Sequence, residues 1–302
     1  MTKQYHGKNF SLYNGDSVRV IKEIPDNSVH FNIFSPPFAN LYIYSNDLAD
    51  MGNCRDMDEF FEQFDYLIPE LYRVTKPGRL CAVHCKQLVK YKGRDGRAGL
   101  TDFRGKIIEH FEKYNWQYHS EVTIWTDPVL EMQKTKAHGL LYKQVRKDAS
   151  FSRQGLPDYL VVFRKWAEED EEDLIEPVEH TKENFPLPIW QNYASPVWMD
   201  IQRTNVLNVQ QAREDSDEKH ICPLQLDVIE RAIDLWTNPG DIVFTPFLGI
   251  GSEAYQSLKM KRRAVGIELK ESYYNQAVKN CQAAVEEENQ INIEQLLGGN
   301  DE

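Results

Sequence analysis

The chain has 302 residues, 41% of them hydrophobic and 12% aromatic, which gives room for one large α/β domain with an insertion or for two modest domains. A formal net charge of -12 argues against phosphate binding by the molecule as a whole, but acids are concentrated at 168–173, 286–288 and 301–302, and the remaining body is nearly balanced with local basic stretches. No apolar run approaches a membrane span, Met1–His6 lacks the core of a signal peptide, and the cysteines Cys54, Cys81, Cys85, Cys222 and Cys281 are odd in number and scattered, so a cytoplasmic protein without disulfides is expected.

Phe10–Tyr13 reads as a short strand and Asn14-Gly15-Asp16-Ser17 as the turn after it, with Asp16 or Ser17 capping a helix through Ile21. After the turn at 25–28, Val29–Phe34 is a run of β-branched and aromatic residues that predicts a second strand, parallel to the first. It stops at Ser35-Pro36-Pro37-Phe38. Two prolines cannot continue a sheet ladder and fix an extended turn, at the edge where open α/β sheets bind ligands. A hydroxyl at Ser35, a carbonyl at Pro36 and a ring at Phe38 would offer two acceptors to an exocyclic amino group and a flat face to a planar base. A plain strand-to-loop turn with a buried Phe is the other reading. The tyrosine-rich segment 39–47, with Tyr42 and Tyr44, has no clean period and predicts a loop over this pocket.

Met57–Val74 carries Phe60, Phe61, Phe64, Leu67, Ile68, Leu71 and Tyr72 at helical spacing and predicts one amphipathic helix, cut at Lys76-Pro77-Gly78. Leu80–Cys85 is the next strand, in which alternation separates His84 from Cys81 and Cys85; the structural reading is favoured and no metal is expected. Lys86–Gly105 predicts a basic loop, Ile107–Tyr114 a helix and Tyr118–Trp125 a strand. In Met132–Lys147, the most basic stretch, a helix would present Lys134, Lys136, Lys143, Arg146 and Lys147 to a phosphate backbone, with Arg153 in the following turn; a solvated helix is the alternative. Tyr159–Phe163 reads as a strand. From Ala167 to about Lys219 neither period persists, and the segment predicts an inserted subdomain or long ordered loop, suited to sequence recognition or serving as a structural flap.

A helix is expected from His220-Ile221-Cys222-Pro223 to Trp236, then a buried strand Asp241–Phe244 and a glycine turn, Thr245-Pro246-Phe247-Leu248-Gly249-Ile250-Gly251-Ser252, into another helix. Arg263–Glu268 is the following strand and ends in an acid suited to ribose hydroxyls. Gly-x-Gly with that acid alone would equally suit a nicotinamide enzyme.

The ordered set Gly-Asp, Ser-Pro-Pro-Phe, His-x-Cys-Pro-Leu-Gln, Pro-Phe-x-Gly-x-Gly and Gly-Ile-Glu-Leu resembles the permuted, beta-class amino-group DNA methyltransferases, in which the catalytic half precedes the cofactor half. The resemblance spans about residues 10–285 and is nearest to solitary, prophage-type enzymes. It implies a Rossmann-like α/β fold with a mostly parallel sheet and helices on both faces. It divides the chain into a catalytic half (1–166), an inserted recognition segment (167–219), a cofactor half (220–285) and an acidic tail (286–302). The implied reaction moves a methyl group from S-adenosylmethionine to N6 of adenine, slightly favoured, or N4 of cytosine, in double-stranded DNA whose target base is flipped out. Ser35, Pro36, Pro37 and Phe38 are the implied catalytic residues. Asp16, His220, Cys222, Pro223, Thr245, Pro246, Phe247, Gly249, Gly251, Ser252 and Glu268 are the implied cofactor residues, and a homodimer and a restriction partner are both compatible with the class. Thr245 stands where the family usually has Asp. A catalytically inactive DNA-binding relative and a nicotinamide enzyme are the competing readings, against which Ser35, Pro36, Phe38 and Glu268 favour the methyltransferase.

Overall fold

A computed structural model describes residues 3–37, 50–135, 140–207 and 223–297. The strands are β1 (Lys3–Gly7), β2 (Phe10–Asn14), β3 (Val29–Phe34), β4 (Thr75–Lys86), β5 (Leu88–Lys90), β6 (Gly99–Thr101), β7 (Trp116–Ile124), β8 (Asp158–Lys165), β9 (Val197–Trp198), β10 (Ile242–Thr245) and β11 (Arg263–Glu268). Nine of them form one sheet in the order β1-β2-β11-β10-β3-β4-β8-β7-β9, and β5 pairs with β6 in a separate hairpin. Strands β2, β11, β10, β3 and β4 are mutually parallel; β1 and β8 run antiparallel to their neighbours, as β7 does to β8. This is the mostly parallel α/β sheet that the sequence predicts.

Strand alternation sends side chains to two cores. Phe34, Cys81, Val83 and Cys85 pack under the helices Met57–Phe64, Ile68–Val74 and Phe103–Lys113 through Phe60, Phe64, Leu71 and Phe111. Phe31, Ile33 and Ala82 point the other way, onto Val228, Ile229 and Ile233 of the helix Leu226–Trp236. The helices Ser252–Lys259 and Glu271–Leu297 close a third cluster over Phe10 and Leu12.

Several elements differ from expectation. The single helix expected over 57–74 is two, because Pro69 opens the second one, lacks an N–H and sterically opposes helical continuity with the carbonyl four residues back. Strand β4 does not begin after Gly78 but runs through it. Val29 pairs with Thr75 and Phe31 with Leu80, so the ladder is irregular there, and Gly78 takes a φ of 75°. The basic stretch 86–105 holds the β5–β6 hairpin instead of a featureless loop, and the expected helix over 132–147 is a pair, Pro128–Thr135 and Tyr142–Lys147. Within the aperiodic segment after Ala167, a helix at Leu187–Tyr193 leads to β9, which adds to the sheet beside β7.

Candidate active site

Because β2, β11, β10, β3 and β4 are parallel, their carboxyl ends deliver residues 15–17, 268, 245–251, 35–37 and 84–86 to one edge of the sheet. β10 is followed by β11 on one side and β3 by β4 on the other, so the crevice between β10 and β3 is a topological switch point, where such sheets bind ligands. Antiparallel β8 contributes its start: Lys86 is opposite Asp158.

On the β10–β11 side, Glu268 is fixed by backbone amides. Its Oε2 accepts from Gly249 N at 2.7 Å and its Oε1 from Lys270 N at 2.9 Å. Burial pushes the carboxyl up to about 7, with those two amides pulling the other way and Asp50 adding to the rise. Gly249 has a φ of 55°, and a Cβ there would meet none of the described residues within 4 Å, so space adjoins the backbone beside Glu268; at Gly251, with a φ of 92°, a Cβ would lie 3.0 Å from the Cβ of Ala277. The first glycine leaves room, whereas the second is required by conformation and packing. Thr245 is buried, and its Oγ1 has no hydrogen-bond partner among the described residues. Ser252 opens the next helix, where burial, with Glu268 nearby, raises Glu253 to about 8. Phe247 packs its ring 5.7 Å from that of Phe34 and 6.2 Å from that of Phe64.

The amino-terminal turn is tied to this loop. Ser17 Oγ donates to the Pro246 carbonyl, Gly15 N donates to the Glu268 carbonyl at 2.9 Å, and Asp16 caps its helix by accepting from Val18 N at 3.0 Å. Pro223 is partly buried just ahead of the helix Leu226–Trp236.

On the β3–β4 side, Ser35 is partly exposed and Pro36 buried. Phe34 pairs with Val83 in the ladder, which sets Ser35 beside His84, and the Ser35 Oγ to His84 Nδ1 distance is 2.9 Å. Beyond the ring, His84 Nε2 lies 3.6 Å from Asp158 Oδ2; Lys86 Nζ lies 3.3 Å from Asp158 Oδ1 and 3.3 Å from Oε2 of the fully buried Glu131. Burial alone would raise Asp158, but the neighbouring His84 ring and Lys86 ammonium outweigh it and hold this carboxyl well below the usual range. Sequence reading missed this row. His84 looked like a core residue and Lys86 like part of a basic loop, while Asp158 and Glu131 carried no signal, since only the pairing of β4 with β8 brings them together.

Phe38, Tyr42, Lys136, His220 and Cys222 lie outside the described residues, as does the side chain of Lys134. Lys143, Arg146 and Lys147 are exposed on the helix Tyr142–Lys147. Arg153 is partly buried and donates to the Gln154 carbonyl at 3.2 Å, and its burial lowers the pKa of its guanidinium. No cluster of three or more metal-ligating side chains occurs among the described residues.

The class of fold is that of the Rossmann-like methyltransferases. The chain superposes on the Thermus thermophilus protein TTHA0409 in complex with S-adenosyl-L-methionine, with a TM-score of 0.64 at 20% identity, covering 92% of this chain and 96% of the other. The cytosine-N4-specific PvuII DNA methyltransferase gives a TM-score of 0.65 at 15% identity, over 91% and 87% of the two chains. Sequence then fixes the family. The N6/N4 methyltransferase family profile, described as DNA methylase, matches residues 29–279, and the chain belongs to that family. It is an S-adenosylmethionine-dependent amino-group DNA methyltransferase. Similar curated proteins include the type II methyltransferase M.BglII of Bacillus subtilis, 24% identical over 293 residues that cover 92% of this chain and 70% of the relative. Another is the DNA adenine methyltransferase YhdJ of Escherichia coli K12, 24% identical over 280 residues covering 91% and 83%. The crevice fits the cofactor: the acceptor at Glu268 adjoins the open space at Gly249, and at the end of β10 the Thr245 hydroxyl has no partner among the described residues.

Proposed function

We propose that the protein methylates the exocyclic amino group of a base flipped out of double-stranded DNA, N6 of adenine in preference to N4 of cytosine, and that Ser35 and Pro36 form the cradle for that amino group. The observation that carries this reading is that Ser35 and Pro36 follow the end of β3, across the switch-point crevice from the glycine loop after β10 and from Glu268 at the end of β11.

An amino nitrogen on a heteroaromatic ring is a weak nucleophile because its lone pair is delocalised. Two acceptors, Ser35 Oγ and Pro36 O, would take its two hydrogens and turn the lone pair out of the ring plane, so that positioning supplies much of the acceleration. S-adenosylmethionine supplies an electrophilic methyl group when bound. Glu268 would accept from ribose hydroxyls, Gly249 would let the backbone approach, Thr245 would use its free hydroxyl, and Pro246, Phe247, Gly251, Ser252 and Asp16 would shape the same pocket. His220, Cys222 and Pro223 are assigned to its methionine side by resemblance to the family. Phe38 would stack on the flipped base in place of its lost neighbours. Lys143, Arg146 and Lys147, with Lys134, Lys136 and Arg153, would meet phosphate, Tyr42 would approach DNA from the loop after the catalytic turn, and the segment 167–219 would read the target sequence.

Adenine is favoured by the relative YhdJ, which carries that specificity in its name and aligns over 91% of this chain. Mass spectrometry of nucleosides from a methylation-free host expressing the protein tests the reading. N6-methyladenine is expected; N4-methylcytosine would reassign the base, and neither product from soluble protein would overturn the activity.

A further inference from the structure

We propose that His84 is the positioning residue for Ser35 and receives, through the Ser35 hydroxyl, the proton that the target amino group loses on methylation, with Asp158 holding the imidazole in the accepting tautomer. The inference rests on the reading of Ser35 as half of the amino-group cradle.

Methylation leaves a proton to be placed. As the new N–CH3 bond forms, the S–CH3 bond breaks and its electron pair stays on sulfur, so the nitrogen briefly holds a positive charge and two hydrogens. One must leave to give the neutral methylamino product. A serine hydroxyl cannot keep an added proton near neutral pH, but it can pass one on: the N–H proton goes to Ser35 Oγ while the Ser35 proton goes to His84 Nδ1. The positive charge lost from sulfur then reappears on the imidazolium, which afterwards releases its extra proton to water.

The geometry matches each step. Ser35 Oγ and His84 Nδ1 are 2.9 Å apart, within proton-transfer reach. His84 is 8% exposed, so the ring, rather than bulk water, is the acceptor next to the hydroxyl. For Nδ1 to accept, the neutral ring must carry its hydrogen on Nε2. Nε2 is buried without a hydrogen bond among the described residues, and Asp158 Oδ2 at 3.6 Å is an anion placed to favour a hydrogen there and to stabilise the imidazolium. An ordinary core histidine would be satisfied at both nitrogens; this one is satisfied only toward the crevice. The charged groups around it are Asp158 from β8, Lys86 from β4 and Glu131 from the helix Pro128–Thr135, with Lys86 between the two acids. Lys86 offsets one of the two acids, so the row behind the ring keeps one net negative charge.

The test is the burst of methyl transfer from enzyme preloaded with radiolabelled S-adenosylmethionine onto unmethylated phage DNA, measured across roughly pH 5.5–9. The wild-type burst rate should rise with pH through one ionisation. His84→Asn should lower it by about 100-fold above neutrality and flatten the profile, with cofactor affinity unchanged. Asp158→Asn, which keeps the ring, should lower it by about 10-fold and change the shape of the profile. Imidazole added to His84→Gly should restore part of the rate. Should His84→Asn fail to fold, Asp158→Asn and the imidazole rescue carry the test. A slow Ser35→Ala alongside full rates and an unmoved profile in the His84 and Asp158 variants would overturn the proton path and leave the cradle standing. A full-rate Ser35→Ala would remove the cradle itself.

Discussion

The two sides of the crevice are built in opposite ways. Across β10 and β11 the key carboxylate, Glu268, is held by backbone amides, and its neighbours are contiguous in one strand–loop–helix–strand unit. Across β3 and β4 the key hydroxyl, Ser35, is held by a side chain 49 residues away, and that side chain is backed by an acid on an antiparallel strand. Backbone amides fix the position of the first side's carboxyl, and Glu268 itself is the ionisable group there. The second is a row of ionisable groups whose protonation can change within a catalytic cycle.

The largest effect should come from breaking both sides at once. Phe64 meets Phe34 from β3 and Phe247 from the glycine loop, with ring centroids 6.5 and 6.2 Å away. Phe64→Ala should cost about 3–5 kcal/mol in urea unfolding and weaken cofactor binding and turnover together. A change confined to the β3 side is Ser35→Ala, which should slow the burst by about 100-fold while the Kd for S-adenosylmethionine stays within about 2-fold. Equal losses in both quantities would erase the division. The converse is Glu268→Gln, which should raise that Kd by about 10-fold with a smaller effect on the burst at saturating cofactor.

A pH titration sharpens the same contrast. The free Glu268 carboxyl is raised to about 7, so below that pH it is largely protonated and offers fewer acceptor sites to ribose hydroxyls. Cofactor affinity measured by calorimetry should therefore strengthen as pH rises through about 7, and Glu268→Gln should abolish that trend. The smallest expected effect lies outside the crevice: reversing the charge of Lys143, Arg146 and Lys147 should flatten the salt dependence of DNA binding by about 0.9 log units for each phosphate no longer neutralised, leaving cofactor affinity untouched.

The β10–β11 side of the crevice was largely legible in the sequence because its parts are local. Strand β11 falls on the expected residues, Ser252 opens the helix after the glycines, and β3 ends where Ser35 begins. The row behind Ser35 was not legible, since the neighbourhood of His84 and Asp158 is a property of strand pairing and not of spacing. Pro69 was equally readable in principle, but the apolar period continued past it and hid the break between the two helices. Strand β1 was missed because its residues are mostly exposed and carry little apolar alternation.

The irregular ladder at the amino end of β4 has a consequence for tolerance to change. Between the pairs Val29–Thr75 and Phe31–Leu80 the two strands use unequal lengths of chain, whereas from Phe31 onward they keep step as far as Phe34 and Val83. A one-residue slip within the regular part would invert every side chain beyond it and carry His84 away from Ser35. A residue gained or lost around Pro77 and Gly78 can instead be taken up by the slack already present. The sheet thus has an expansion joint at the end remote from the crevice, and length variation there should be inherited without disturbing the chemistry.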